Sequence, residues 1–236
     1  AIWPGWTAVP TGKTGRTPGQ LVGIPVRNVW YNGAMKRILT FLTPVALLLL
    51  LFLLPPERIL GDVIKLVLLH GALVRAALIA FAVAGLLGIF CLFRSDPLWS
   101  RWCVAIQTTA LLLWVGNVLS SSLATRLTWG EWIAWSEPRV WATINVLWLA
   151  VGCLVLVHWM QHRIFTGLAN LVVAGFSWGL IKGATLVRHP FDPLGTSNSN
   201  TYQLLYTLTV AVLLLLGWQV AHWLYRKEGS WLASYR

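Results

Sequence analysis

The sequence predicts an all-α integral membrane protein with six transmembrane helices and an extracytoplasmic, tryptophan-rich loop between helices three and four. Hydrophobic residues make up 57% of the chain and charged residues 11%, whereas soluble domains carry roughly 25% charged residues. Six apolar runs each approach the ~20 residues that a membrane-spanning helix needs. A cluster of tryptophans with flanking charges separates the third run from the fourth.

The apolar runs set the order of the predicted helices. Short connections join most of them, which predicts antiparallel packing between neighbours. Glycines within the runs favour close approach of the helices. The runs lie at 36–54, 66–93, 102–124, 139–160, 164–182 and 202–225. The glycines are Gly71, Gly85, Gly88, Gly116, Gly152 and Gly175.

The chain ends differ from the membrane domain predicted at 35–228. Residues 1–34 are rich in Gly, Pro and Thr and contain no acidic residue, which favours a disordered or untranslated extension. Met35 precedes two basic residues and an apolar run, which is typical of a membrane protein's start. A signal peptide beginning at Met35 is the competing interpretation. Residues 229–236 are a predicted cytoplasmic tail.

The basic residues give the predicted orientation and the class of partner. The formal net charge is +11, but Lys and Arg stand at the ends of apolar runs, where they contact lipid headgroups. This pattern predicts a lipid partner and no nucleic acid. A small excess of Lys and Arg on the side of Met35 predicts cytoplasmic termini. The predicted location is the cytoplasmic membrane of a bacterium or archaeon.

Three cysteines exclude two redox classes. Cys91, Cys103 and Cys153 lie within apolar runs, and none forms the CxxCH motif of a c-type cytochrome or the CxxC motif of a dithiol oxidoreductase. We therefore expect buried free thiols that act as small apolar residues.

The segment 126–141 carries four tryptophans between two apolar runs. Trp129, Trp132 and Trp135 recur every third residue, so a short helix would place them on one face. Charged neighbours put the segment outside the hydrocarbon. The pattern predicts an aromatic shelf at the membrane surface, and the plainer interpretation is an interfacial belt of tryptophans. The charged neighbours are Arg126, Glu131, Glu137 and Arg139.

Two histidines are predicted on the same side as the shelf. His70 lies near the start of the second run, about one turn outside the hydrocarbon edge. His189 lies in the connection 183–201, which is long for a compact helical protein. The other three, His158, His162 and His222, fall near the opposite side.

Two neutral imidazoles and an aromatic shelf suit a haem. The imidazoles can take both axial positions of the iron, the indoles can cover the porphyrin, and arginines can pair with its propionates. The candidate arginines are Arg75, Arg126 and Arg188. Either histidine alone is also explained by a hydrogen bond to a headgroup or a loop carbonyl. A zinc or copper site is less well supported, because no third ligand of suitable type is evident.

The tryptophan loop resembles the signature of CcmC-type haem-handling proteins (haem exporter protein C), within the cytochrome c assembly family that includes the CcsA and CcmF types. That signature runs Trp-Gly-x-Trp-Trp-x-Trp-Asp. The loop here reads Trp129-Gly130-Glu131-Trp132-Ile133-Ala134-Trp135-Ser136-Glu137. His70, within LLHGALVRAA at 68–77, looks like the family's first histidine, and His189 stands where the second is found.

The chain departs from the family pattern at three positions. Ile133 interrupts the double tryptophan, Ser136 replaces the aspartate, and Ala72 stands where the family often has proline. We expect Glu137 to reach the region of the missing carboxylate and to act in haem transfer. We also expect Ser136 to cap the fourth helix, with Pro138 in its first turn.

The resemblance implies a haem platform at Trp129, Gly130, Trp132 and Trp135, with His70 and His189 as axial ligands of haem b. It implies a factor of cytochrome c maturation that presents or exports haem for a periplasmic haem chaperone, beside other maturation subunits. Any ATP-driven step would belong to an ABC-type partner, since the chain has no nucleotide-binding motif, and we do not expect an enzyme. Two alternatives remain open: a b-type haem electron-transfer subunit and a cofactor-free membrane anchor.

Overall fold

The computed structural model describes residues 26–94, 96–184 and 198–227, with side chains from Ile38 onwards. Across this part of the chain every element is an α-helix, apart from an isolated bridge between Glu57 and Gly61. The six helices are α1 (Val26–Leu53), α2 (Ile64–Phe93), α3 (Pro97–Trp129), α4 (Pro138–Met160), α5 (Arg163–Gly183) and α6 (Asn200–Lys227).

The helices match the predicted apolar runs closely, and five of them, α2 to α6, are long and apolar enough to cross a membrane. The all-α class is therefore confirmed, with five helices that could span a membrane. Within the described side chains, the apolar part of α1 is Ile38–Leu53, so a sixth span stays a prediction. Helix α1 begins at Val26, inside the segment 1–34 for which we expected disorder. Residues 1–25 and 228–236 lie outside the described residues.

Ile38–Arg236 form one compact unit, and Ala1–Arg37 form another. In the larger unit, α2 and α3 lie at the centre. Helix α2 packs against α3, α5 and α6, and α3 also contacts α4. The rings of Phe81 and Trp114 meet edge to face at 5.9 Å. Trp114 Nε1 donates to the Thr143 carbonyl at 3.0 Å, which joins α3 to α4.

Glycine allows α2 and α5 to approach closely. A Cβ on Gly88 would lie 2.6 Å from the Gly167 carbonyl oxygen, and one on Gly85 would lie 2.7 Å from the Ala174 Cβ. No side chain fits in either place. The expectation is confirmed at these two glycines, whereas a Cβ on Gly152 or Gly175 would meet nothing within 4 Å.

Local sequence signals explain where several helices begin and end. The Asp96 side chain accepts a hydrogen bond from Leu98 N at 2.9 Å, and proline follows it in the first turn of α3. Gly130, with φ of +80°, ends α3 in the left-handed conformation that glycine adopts most readily. Pro138 starts α4, as predicted, and the His162 side chain caps α5. These signals set the position of the tryptophan loop, residues 130–137, between α3 and α4.

Candidate functional site

His70 is half-buried in the second turn of α2 and faces α3. Its Nδ1 atom lies 2.7 Å from Oδ1 of Asn117. Asn117 is fully buried, and its Nδ2 amide group has no hydrogen-bond partner among the described residues. Burying polar groups inside an apolar bundle costs free energy, so a pair of this kind is a candidate for a functional role.

Helix α6 adds two further polar groups beside His70. The Tyr206 hydroxyl donates to the Gly71 carbonyl at 3.3 Å, and the Arg75 guanidinium carbon lies 5.7 Å from the centre of the Tyr206 ring. Arg75 is half-buried, and Tyr206 is buried. We call His70, Arg75, Asn117 and Tyr206 the His70 cluster. It joins α2, α3 and α6 at one end of the bundle.

The tryptophan loop is not a helix. Helix α3 continues to Trp129, and residues 130–137 form bends and a turn. Trp132 and Trp135 therefore do not share a helical face with Trp129, and that part of the prediction is wrong. Gly130 has a left-handed backbone conformation and ends the helix. The three-residue spacing of the tryptophans therefore does not place them on one helical face. The three indoles are 39%, 60% and 53% exposed in chain order, so the loop does present an aromatic surface.

Backbone contacts hold the loop against α3 and α4. The Ser122 hydroxyl donates to the Trp132 carbonyl at 2.7 Å, and Arg126 donates to the Gly130 carbonyl while its guanidinium lies over the Trp132 ring at 5.8 Å. Arg126, which was predicted to pair with a haem propionate, thus also contacts the tryptophan loop. Trp141 Nε1 donates to the Trp135 carbonyl at 2.8 Å, and their rings lie 5.2 Å apart.

Trp132 and Asn117 lie on different sides of α3. Ser122 and Arg126 stand about 140° and 180° around the helix from Asn117, at 3.6 residues per turn. Because Trp132 contacts Ser122 and Arg126, it lies on the side of α3 turned away from Asn117. Trp132 and His70 therefore contact different sides of α3.

Glu137 occupies a different environment from the one expected. It is 3% exposed, stands at the N-cap of α4 without a side-chain capping bond, and interacts electrostatically with Arg139. Ser136 is exposed and precedes the cap position. The expectation that Ser136 caps α4 is therefore wrong. The Glu137 side chain is thus buried at the beginning of α4 and is not exposed.

His189 and Arg188 lie outside the described residues, so their predicted roles stay predictions. The other histidines lie at the end of the bundle away from His70, in the last turn of α4 (His158), at the cap of α5 (His162) and near the end of α6 (His222). Across the residues that the structure describes, no three His, Cys, Asp or Glu side chains are grouped to hold a metal ion.

Asn117 was not among the site residues predicted from the sequence. It is a lone amide in the apolar stretch ALLLWVGNVL, and an isolated polar residue within a predicted span is itself a signal of function. Its partner, 47 residues earlier, could not be identified from spacing.

Neither the models of known protein families nor the curated proteins include a match.

Proposed function

We propose that this chain is a multi-pass membrane protein that binds haem b through His70 and presents it at the membrane surface. The single observation that carries the proposal is the hydrogen bond between His70 Nδ1 and Asn117 Oδ1, at 2.7 Å. An amide oxygen only accepts hydrogen bonds, so the proton of the neutral imidazole resides on Nδ1. The lone pair is then on Nε2, the form in which histidine binds iron.

Such a bond also fixes the ring's orientation. Metal-binding histidines generally donate their second ring N–H to a protein acceptor, which orients the ring and raises its basicity. Asn117 is fully buried and anchored on α3, so it provides a rigid acceptor. Burying this polar pair between apolar helices has a cost that a ligand role explains.

The remaining groups of the His70 cluster suit the haem's acidic edge. Arg75 carries a positive charge half-buried beside Tyr206, and an arginine fork matches a propionate carboxylate. The amide Nδ2 of Asn117 is a buried donor without a partner among the described residues, a group that gains from an incoming acceptor. These features support an iron ligand and a carboxylate partner from this chain's own residues.

We also propose a biological role for this haem site. The half-buried position of His70 supports exchangeable binding, because a cargo held near a surface leaves more readily than one enclosed within the bundle. This supports a role in cytochrome c maturation, in which a periplasmic haem chaperone takes the haem. Other maturation subunits, including an ABC-type complex, are the proposed partners. His189 is the proposed second axial ligand, in a six-span arrangement with the site outside the cytoplasm.

The test is the absorption spectrum of the purified protein loaded with haem. His70→Ala should remove the low-spin spectrum or lower haem occupancy, because the iron loses an axial nitrogen. His158→Ala is the matched control, since His158 bonds to the carbonyl of Leu154 in its own helix at 2.8 Å. Equal haem content in both variants and the parent would overturn the proposal.

A second function has one observation in its favour. Trp132 lies on the side of α3 turned away from Asn117, and it is 60% exposed. Tryptophans in that position are typical of an interfacial belt, as a cofactor-free membrane anchor would have. If haem added to the purified parent protein gives only the spectrum of free haem, this second function is the better one.

A further inference from the structure

Two thiols meet at the end of the α2–α3 pair opposite the His70 cluster. Cys91 and Cys103 are both fully buried, and their Sγ atoms lie 2.8 Å apart on adjacent helices. Both are free thiols. The side chains thus point directly at each other, twelve residues apart in the chain.

Helix α5 holds the backbone on both sides of the pair. Arg163 Nη1 donates to the Cys91 carbonyl at 2.8 Å and to the Arg94 carbonyl at 2.9 Å. Asn170 Nδ2 donates to the Cys103 carbonyl at 3.2 Å. A Cβ on Gly167 would lie 3.2 Å from the Cβ of Cys91, so α5 also closes the space beside that residue.

The separation of the sulfurs excludes a shared metal ion in this arrangement. Zinc–sulfur bonds of about 2.3 Å at a tetrahedral angle place two sulfurs roughly 3.7 Å apart. The sulfurs are closer than that. A covalent bond between them is the chemistry that the arrangement favours, because it needs only a further approach of atoms that already face each other.

We propose that Cys91 and Cys103 are a reversible dithiol–disulfide couple that reacts with a small uncharged peroxide. Hydrogen peroxide oxidises one thiol to a sulfenic acid and releases one water. The second thiol then displaces the hydroxyl group as a second water, and the S–S bond forms. Two thiols and one peroxide thus give one disulfide and two waters. The size and neutrality of the oxidant suit a fully buried pair.

The bond would tie α2 to α3 at a second place. His70 and Cys91 are separated by about 31 Å along α2, at 1.5 Å per residue. The hydrogen bond to Asn117 joins the helices at one end, and the disulfide would join them at the other. Oxidation would then fix the register of the pair. This inference does not depend on haem binding.

The experiment counts thiols in the full chain in detergent micelles. Protein is treated with hydrogen peroxide, denatured in dodecyl sulfate and labelled with a maleimide polymer that shifts its mobility on a gel. Untreated protein should take three labels. Treated protein should take one, on Cys153, at monomer mobility, and dithiothreitol should restore three. The oxidised form should also unfold at a temperature several degrees higher, because the cross-link restricts the unfolded chain.

The matched variants separate the pair from general oxidation. Cys153→Ser should fall from two labels to none and show the raised unfolding temperature, whereas neither Cys91→Ser nor Cys103→Ser should show that rise at the same peroxide dose, because each keeps only one thiol of the pair. The inference is overturned if the parent keeps three labels at a dose that fully oxidises a surface cysteine introduced at Ser136. Loss of labels that dithiothreitol does not reverse, or conversion to a covalent dimer, would overturn it as well.

Discussion

The His70 cluster and the tryptophan loop are held in place by different kinds of contact. Side chains from α2, α3 and α6 hold His70, with bonds across 47 residues to Asn117 and across 135 residues between Tyr206 and Gly71. The loop is held by bonds to backbone carbonyls no more than ten residues away, from Ser122, Arg126 and Trp141. The first region therefore depends on how the helices pack, whereas the second depends on local chain geometry.

These contacts indicate that the His70 cluster can serve as a ligand site and the tryptophan loop as a membrane anchor. A half-buried imidazole with a rigid acceptor is prepared to hold an iron ion in one orientation. Indoles that are 39% to 60% exposed, as in Trp129, Trp132 and Trp135, can adapt to lipid headgroups. Four substitution experiments, ordered by the size of their expected effect, test the comparison.

The largest effect is expected for Asn117→Ala. The variant leaves the His70 Nδ1–H without its acceptor in a half-buried place, which costs about 1–3 kcal/mol. Haem retention should fall by about tenfold or more, measured as haem left on the protein in competition with a haem-acceptor protein. Ser122→Ala is the matched control, a small polar residue of α3 on the side away from Asn117. Equal haem loss in both variants would mean that Asn117 does not position His70.

A smaller effect is expected for Glu137→Gln. The variant removes a buried negative charge that interacts with the half-exposed Arg139, and we expect the free energy of unfolding to fall by about 1–2 kcal/mol. Ser136→Ala should change it by less than about 0.5 kcal/mol, since Ser136 is exposed. The midpoint of unfolding in mixed micelles measures both. A larger loss in Ser136→Ala would restore the predicted capping role.

The paired change Trp132→Ala and Trp135→Ala should leave haem retention within about twofold of the parent. The reason is that Trp132 lies on the side of α3 away from Asn117. A haem platform predicts a different result, because two aromatic contacts of about 0.5–1.5 kcal/mol each correspond to roughly tenfold weaker retention. Trp148→Phe, at an exposed tryptophan of α4, is the control. A tenfold loss in the paired variant alone would show that the loop binds haem.

The smallest effect is a pH dependence of the turn between α1 and α2. Hydrogen bonds from Leu60 N and Ile59 N hold the pKa of the Glu57 carboxyl below its ordinary value of 4.5. A lowered pKa contributes stability above pH 4.5, and this contribution is lost as the pH falls through the folded value. The parent's unfolding midpoint should therefore decrease slightly more than that of Glu57→Gln below pH 4.5. Parallel curves would show that the turn adds no pH dependence.

The candidate site was predictable only in part. The sequence pointed to His70 because a histidine stood near the end of an apolar run, and to the tryptophan loop because of its repeated indoles. It did not point to Asn117, since a partner 47 residues away leaves no trace in the spacing. The helical face expected for the three tryptophans failed at Gly130, where a left-handed residue ends α3. The burial of Glu137 was equally hidden, because burial depends on neighbouring helices.

The sequence by itself determined the class of fold and the extent of its helices. Apolar length predicts a span because every backbone N–H and C=O group must be satisfied within the helix, and residues such as Asp96, Gly130 and Pro138 set helix ends through local hydrogen bonds. Only the tertiary structure decided that α2 lies against α5 at Gly88 and Gly167, and that Trp132 and Asn117 lie on different sides of α3. The reason is that helices in lipid are selected by shape and by single polar contacts rather than by hydropathy, and those contacts join residues far apart in the chain.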